Sequence, residues 1–289
     1  MVTSSKKFLP EVVLYHANCT DGFTAAWAVW KLMGPSAKYI PVKHGDKPPY
    51  NELKGRQVVI VDFSYSKDIM QNLKKQCKKL LVLDHHISAQ KELNDLDYAV
   101  FDMSRSGAGI TWDYYHGPER PLLIELVEDN DLWNFKHKGT KELSAIIETM
   151  DRSFLNWDWL DEQLEDEEKK EKLLASGTSM MKYKNSVIRN RFLEKPSYIM
   201  IGEHLVPAAN STVWVSEIGA GLAKNNDTFA VVWSQGRDGK YKYSLRSDKR
   251  VGMDVSKIAK KFGGGGHKSS AAFISNYPPV DVDWDEIEG

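Results

Sequence analysis

The 289-residue chain is predicted to be an α/β protein, with a mostly parallel sheet carrying helices on both faces. A helical stretch and a smaller α+β domain are expected to follow. Three observations carry this reading. Short, mostly apolar runs (EVVLY, QVVIV, LLVL) alternate with helical sequence through the first 140 residues, as in βαβ units. Those runs are continuous rather than alternating, which suits strands buried on both faces. New strands appear only after Pro196, beyond a densely charged helical segment.

Glu11–Tyr15 is the first expected strand, ending at His16, and the turn HANCTDG leads into a helix over Phe23–Met33. Gly34-Pro35 stops that helix. Strands follow at Lys38–Val42 and Gln57–Val61, the latter ending at Asp62, and Ser66 is placed to cap a helix running to Lys79. The Leu80–Leu83 strand runs into Asp84-His85-His86, then come a helix over Ser88–Leu93, a strand over Tyr98–Phe101, and helices over Ser106–Tyr115 and Leu122–Asp129. These elements set a first domain at 1–140. Residues 141–195 are expected to be a helical connector, with Gly177 separating two helices and Asp161–Lys172 forming a solvated charged face. The third region, 196–289, holds expected strands at Tyr198–Ile201, Leu205–Ala208, Phe229–Trp233, Lys240–Arg246 and Ser270–Ile274, and a helix at Val255–Phe262. The acidic end of the chain, 278–289, is expected to fray.

Composition narrows the function classes. Hydrophobic residues make up 42% and charged residues 27%, as in ordinary globular proteins. No apolar run approaches the length of a membrane span, and the N-terminal residues lack a secretory apolar core. Two cysteines, Cys19 and Cys77, imply no disulfide framework, so a reducing cytoplasmic setting is expected. A net charge of −1 argues against a broadly basic DNA-coating surface. Oligomeric state is left open, a homodimer among the choices.

Chemistry concentrates where the first-domain strands end. His16 with Asp21, then Asp62, then Asp84-His85-His86 all fall just past carboxyl ends, where open α/β sheets bind ligands. Carboxylates and imidazoles together suit Mn²⁺, Mg²⁺ or Zn²⁺. Neighbouring strand ends lie about 5 Å apart, close enough for two ions about 3.5–4 Å apart to be shared. Such a pair activates a water and neutralises phosphoryl charge. Each residue has a plainer reading as a turn or cap, strongest for Asp21 before Gly22. Their coincidence at separate strand ends argues against that reading for the set.

The series His16-x-x-x-x-Asp21-Gly22, Val61-Asp62, Leu83-Asp84-His85-His86 and Asp129-Asn130-Asp131-Leu132-Trp133 resembles the DHH phosphoesterase superfamily. Gly263-Gly264-Gly265-Gly266-His267 with Ala271-Ala272-Phe273 resembles the GGGH signature of its C-terminal DHHA1 domain. The resemblance covers about residues 11–275. It implies that His16, Asp21, Asp62, His85 and either Asp129 or Asp131 bind two divalent ions, most readily Mn²⁺, with Asp62 between them. Asp131 is preferred over Asp129. The resemblance further implies that His86 faces the scissile phosphate and that Asp84 supports the site.

Cys19 stands where the common family pattern has another metal-binding Asp. A thiolate there would favour Zn²⁺ or Fe, while the plainer reading is a small buried hydrophobe. Ser106, with Gly107-Ala108-Gly109, opens a helix whose N–H groups could meet a phosphate, or whose hydroxyl is simply a cap. Gly264, Gly265 and Gly266 let backbone amides approach phosphate oxygens, and His267 adds a donor; a flexible hinge is the alternative. Arg246 at a strand end can grip a phosphate or stack on a base.

The expected function is a two-metal phosphoesterase acting on short oligonucleotides or small nucleotide phosphodiesters. An adenosine 3′,5′-bisphosphate phosphatase ranks next and a single-strand exonuclease after it. The competing class is a nucleotide-binding protein without catalysis, in which Cys19 has cost the site a metal.

Overall fold

The computed structural model of the chain describes residues 8–248, 250 and 252–282. It comprises two compact units that divide between Met181 and Lys182.

The first unit runs β1 (Val12–His16), α1 (Thr20–Met33), β2 (Lys38–Val42), α2 (Tyr50–Leu53), β3 (Gln57–Val61), α3 (Lys67–Gln76), β4 (Lys79–Asp84), α4 (Ile87–Leu93), β5 (Ala99–Phe101), α5 (Gly107–His116), α6 (Leu122–Asp131), α7 (Thr140–Ile147) and α8 (Phe154–Glu165). Helix α9 (Glu167–Ile188) follows and contains the division point. The strands form one parallel sheet in the order β2-β1-β3-β4-β5. Strand alternation sends Val13, Val59, Val61, Leu81 and Leu83 to one face, under α1, α5, α6 and α8. Val12, Leu14, Val58, Ile60 and Val82 take the other, with Met70 and Leu73 of α3 and Leu93 of α4. The apolar runs are continuous because both faces are covered. In this order the direction of winding reverses between β1 and β3, the crevice where such sheets take ligands.

Several boundaries differ from expectation. Helix α3 ends at Gln76 rather than Lys79, because Lys79 already pairs with Gln57 in the sheet. Residues 141–181 of the expected connector contribute to the first unit's core, where Trp157 is fully buried and its indole N–H donates to Thr24 Oγ1 at 2.8 Å, while Ile188 packs in the second unit. Gly177 lies inside α9 instead of dividing two helices. A β-carbon there would stand 2.5 Å from the Glu142 carbonyl oxygen, so the glycine permits close helix contact.

The second unit contains β6 (Ser197–Ile201), β7 (His204–Asn210), α10 (Val215–Asn226), β8 (Phe229–Gln235), β9 (Tyr241–Ser247), α11 (Val255–Lys261), β10 (Gly265–His267), β11 (Ser270–Ser275) and β12 (Asp281–Val282). Its sheet has the order β10-β11-β9-β8-β7-β6-β12, parallel only between β7 and β8. That parallel pair requires a crossover, which α10 supplies. The sequence reading missed α10, although Val215, Ile218, Leu222 and Ala223 have helical spacing. The acidic chain end, expected to fray, pairs with β6 at residues 281–282; residues 283–289 of that expectation lie outside the described residues. Among the described residues, no helix is long and apolar enough to cross a membrane.

Candidate metal centre

Three strand ends deliver side chains to the β1/β3 crevice. His16 is the last residue of β1, beside Val42 of β2. Asp62 follows β3 and donates its backbone N–H to Leu83 O at 2.9 Å. Its φ of 53° is in the left-handed region, a conformation that non-glycine residues adopt at a cost and that gathers at functional sites. Asp84 ends β4, and His85 and His86 follow. The first turn of α1 adds Asp21, and the last residue of α6 adds Asp131.

These residues form two ligand groups, His16–Asp62–His86 and Asp21–His85–Asp131, whose donor atoms lie within 4.8 Å of one another in each. Asp62 joins the two. Its Oδ1 is 3.2 Å from His85 Nε2, and its Oδ2 is 3.4 Å from His16 Nδ1. His85 Nε2 is also 3.7 Å from Asp21 Oδ2 and 3.6 Å from Asp131 Oδ2.

The charge balance is strained without a counter-ion. Burial raises the Asp21 carboxyl well above the usual range, and Asp62 and Asp131 push it further. Asp131, whose side chain is 26% exposed, is pushed up by partial desolvation and by Asp62, against the pull of His85. Burial would also raise Asp62, but His16, His85 and His86 hold it well below the usual range. His85 is raised because the three carboxylates outweigh its desolvation. Both Asp62 oxygens and His16 Nδ1 are buried, and none of them makes a well-aligned hydrogen bond. Buried polar atoms are normally satisfied, so this orphaned set, with its mixed N and O donors, fits divalent cations.

Asp84 has a different position. It is fully buried and accepts hydrogen bonds from Ser64 Oγ at 2.5 Å and from the His85 backbone N–H at 2.7 Å. Its Oδ1 also lies 2.7 Å from His86 Nδ1, which fixes the ring and leaves Nε2 as the other donor or acceptor. Ser64 was not singled out from sequence.

Asp129 is a structural carboxylate. It is 4% exposed and belongs to neither ligand group. It accepts from Lys136 N at 2.9 Å, His137 N at 3.0 Å and Thr140 Oγ1 at 2.5 Å. Although burial opposes it, those donors hold its carboxyl below the usual range.

Ser106 is also structural rather than exposed to a substrate. Its hydroxyl accepts from Gly109 N at 3.2 Å, and it is fully buried. The N-terminus of α5 is occupied by Asp21 instead: Gly107 N donates at 2.7 Å and Ala108 N at 3.0 Å. The helix dipole thereby supports a carboxylate of the site. Cys19 sits at the N-cap of α1, outside both ligand groups. Burial pushes its thiol well up, and Asp62, Asp21 and Asp131 add to that.

His44, in the loop after β2, was missed. Its ring centroid is 5.4 Å from that of His16 and 6.4 Å from that of His86. No periodicity marks a loop histidine, and only the sheet order brings it to this rim.

The second unit holds the remaining candidates. Gly265–His267 form strand β10, paired antiparallel with β11, so the glycine run is neither a hinge nor an open loop along that length. Gly264 precedes the strand and donates to Ala259 O at 2.9 Å. The ladder sets Arg246, Ser270 and His267 in one transverse row, which puts their side chains on one sheet face. The Arg246 guanidinium donates to Ser216 Oγ of α10 at 3.0 Å.

Residues 212–280 match the family model described as the DHHA1 domain. An uncharacterized protein of Acanthamoeba polyphaga mimivirus is 30% identical over 90% of this chain, and the chain spans 66% of that relative. Among solved structures, the pGpG-specific phosphodiesterase PggH of Vibrio cholerae aligns at TM-score 0.52 and 14% identity, over 96% of this chain and 95% of the other. RecJ of Thermus thermophilus, solved in complex with Mn²⁺, aligns at TM-score 0.50 and 13% identity over 92% of this chain. The chain spans 49% of that RecJ chain.

Proposed function

We propose that this chain, whose residues 212–280 match the DHHA1 domain model, is a DHH phosphoesterase that hydrolyses phosphodiester bonds in short oligonucleotides or small nucleotides. Asp62 is the observation that carries this reading. A buried carboxylate with no aligned hydrogen bond to either oxygen, flanked by imidazoles and two further carboxylates, suits a bridge between two cations. His16 and Asp62 would hold one ion, and Asp21, His85 and Asp131 the other, with His86 left free to face the phosphate. Bound divalent ions lower the pKa of a water and offset charge on a phosphoryl group.

The protein's own residues do the positioning. The Asp84–His86 contact fixes which imidazole nitrogen is turned away from Asp84 and so available to a phosphate oxygen. The α5 N-terminus holds Asp21 in place as its carboxylate approaches Asp62. In the second unit, Arg246 and His267 share a sheet face, which suits recognition of a terminal phosphate or base. We read Mn²⁺ as the working metal, since imidazole and carboxylate donors are mixed in both groups. The description of PggH as acting on pGpG favours short substrates; a bisphosphate phosphatase and a single-strand exonuclease rank after it.

Incubation with Mn²⁺ and a panel of short RNA, short DNA, cyclic dinucleotides and adenosine 3′,5′-bisphosphate, followed by mass spectrometry, tests this. Mononucleotide products from the short strands are expected. Binding of nucleotide with no turnover, and fewer than two metals per chain, would replace the enzyme with a binding module.

A further inference from the structure

The loop beyond Asp131 is built with unusual care for a surface segment. Asp129 gathers it from three sides through Lys136 N, His137 N and Thr140 Oγ1, and the Asp129 carbonyl accepts from Asn134 N at 3.0 Å. Within it Trp133 and Phe135 both have positive φ, 56° and 52°. Such backbone persists only where its surroundings over-determine it, and here the Asp129 bonds do so. The result is an indole left 43% exposed, braced by Phe135 at 4.7 Å between ring centroids. Lys141 Nζ stands 4.6 Å from the Phe135 centroid. Residues 132–141 carry Lys136, Lys138, Lys141 and His137, and no acid. Among the described residues, Lys136 and Lys138 are both exposed.

Burying a large aromatic is the ordinary outcome for Trp. An exposed indole followed in the chain by lysines supplies the two parts that single-strand binders combine, a stacking face and positive charge for the backbone. Two residues of chain span at most about 7 Å, so Trp133 begins within that reach of Asp131 in the ligand groups. We propose that residues 132–141 form a single-strand platform, with a base next to the scissile phosphate stacking on Trp133 and flanking phosphates meeting Lys136 and Lys138. Placing the scissile phosphate there rests on the phosphoesterase reading; the platform's affinity for a strand does not.

The test is fluorescence anisotropy with a labelled pentanucleotide whose phosphorothioate links resist hydrolysis, in Mn²⁺, using the full chain. Trp133→Ala is expected to weaken binding about tenfold or more, as removal of one base–aromatic stack does, and Trp133→Phe to recover most of it. The Lys136→Ala/Lys138→Ala double variant should flatten the slope of log affinity against log salt by about 0.7 for each phosphate the lysines no longer neutralise. Unchanged affinity in a folded Trp133→Ala, or no recovery with Phe, would overturn the stacking role. If Trp133→Ala does not fold, an unchanged salt slope in the exposed lysine variant overturns the platform. A chain that binds the strand through this loop yet cleaves no ordinary phosphodiester would sink the phosphoesterase reading alone. Cleavage indifferent to the loop variants would sink the platform alone.

Discussion

Asp129 and Asp131 lie two positions apart on one helix, and their carboxylates serve unrelated ends. Asp131 Oδ2 is 3.6 Å from His85 Nε2, while Asp129 accepts three hydrogen bonds from the loop at 136–140. Two helical positions differ by about 200° around the axis, so the two side chains leave on nearly opposite sides.

That division predicts opposite phenotypes. Asp129→Ala should destabilise the fold by about 1.5–3 kcal/mol, the range for hydrogen bonds to a charged group. Asp131→Asn should leave the urea midpoint nearly unchanged and weaken Mn²⁺ binding. Denaturation curves and metal titrations on both variants check this, and equal metal loss in the two would refute the assignment.

Gly107 meets Asp62 with no room for a side chain. A β-carbon there would lie 2.4 Å from Asp62 Cβ and 2.8 Å from Oδ1. Gly107→Ala should therefore cost about 1–3 kcal/mol through overpacking and displace the proposed bridge. Turnover should fall further than stability alone explains, which a comparison of kcat with the folded fraction at one temperature measures.

Metal removal should act on stability as well as activity. Chelation leaves Asp21, Asp62 and Asp131 crowded, whereas Mn²⁺ at a hundred times its Kd adds about 2.7 kcal/mol by mass action. A lower Tm in EDTA, restored by Mn²⁺, is expected for the wild-type chain. Asp62→Asn should abolish most of that difference, and a Tm indifferent to metal in the wild type would count against the centre.

Acid should weaken the first unit through Asp113. Burial raises this carboxyl, but Arg120 and Arg105 outweigh it and hold it below the usual range. Nη2 of Arg120 and Nη1 of Arg105 each lie 2.6 Å from its Oδ2. A depressed folded pKa contributes stability that is present above the unfolded value, about 3.9, and is lost as pH falls through the folded one. Wild type should lose stability between about pH 5 and 3 more steeply than Asp113→Asn, as read from denaturant midpoints. Parallel losses would assign the acid sensitivity elsewhere.

How far the centre was legible in the sequence depends on chain distance. His16, Asp62 and Asp84-His85-His86 stand at the ends of apolar runs, and run length with strand polarity suffices to place them at one edge of a parallel sheet. The choice between Asp129 and Asp131 turns on helical phase relative to a loop. The capping role of Ser106 was legible, since its hydroxyl accepts from Gly109 N only three residues on, but the presence of His44 and the fit of Gly107 turn on neighbours brought in by the fold. Helix α10 escaped because its apolar spacing is diluted by glycine and polar residues, and only the parallel β7–β8 pair demands a crossover there.

The sequence by itself marked His16, Asp62 and Asp84-His85-His86 as candidates, because local periodicity encodes strand ends, and Asp131 entered only through the family resemblance. Only the tertiary structure decided which of them meet. Strand order, sheet register and close approach of backbone set which side chains converge within a few ångströms, and these are relations between distant segments that no local pattern carries.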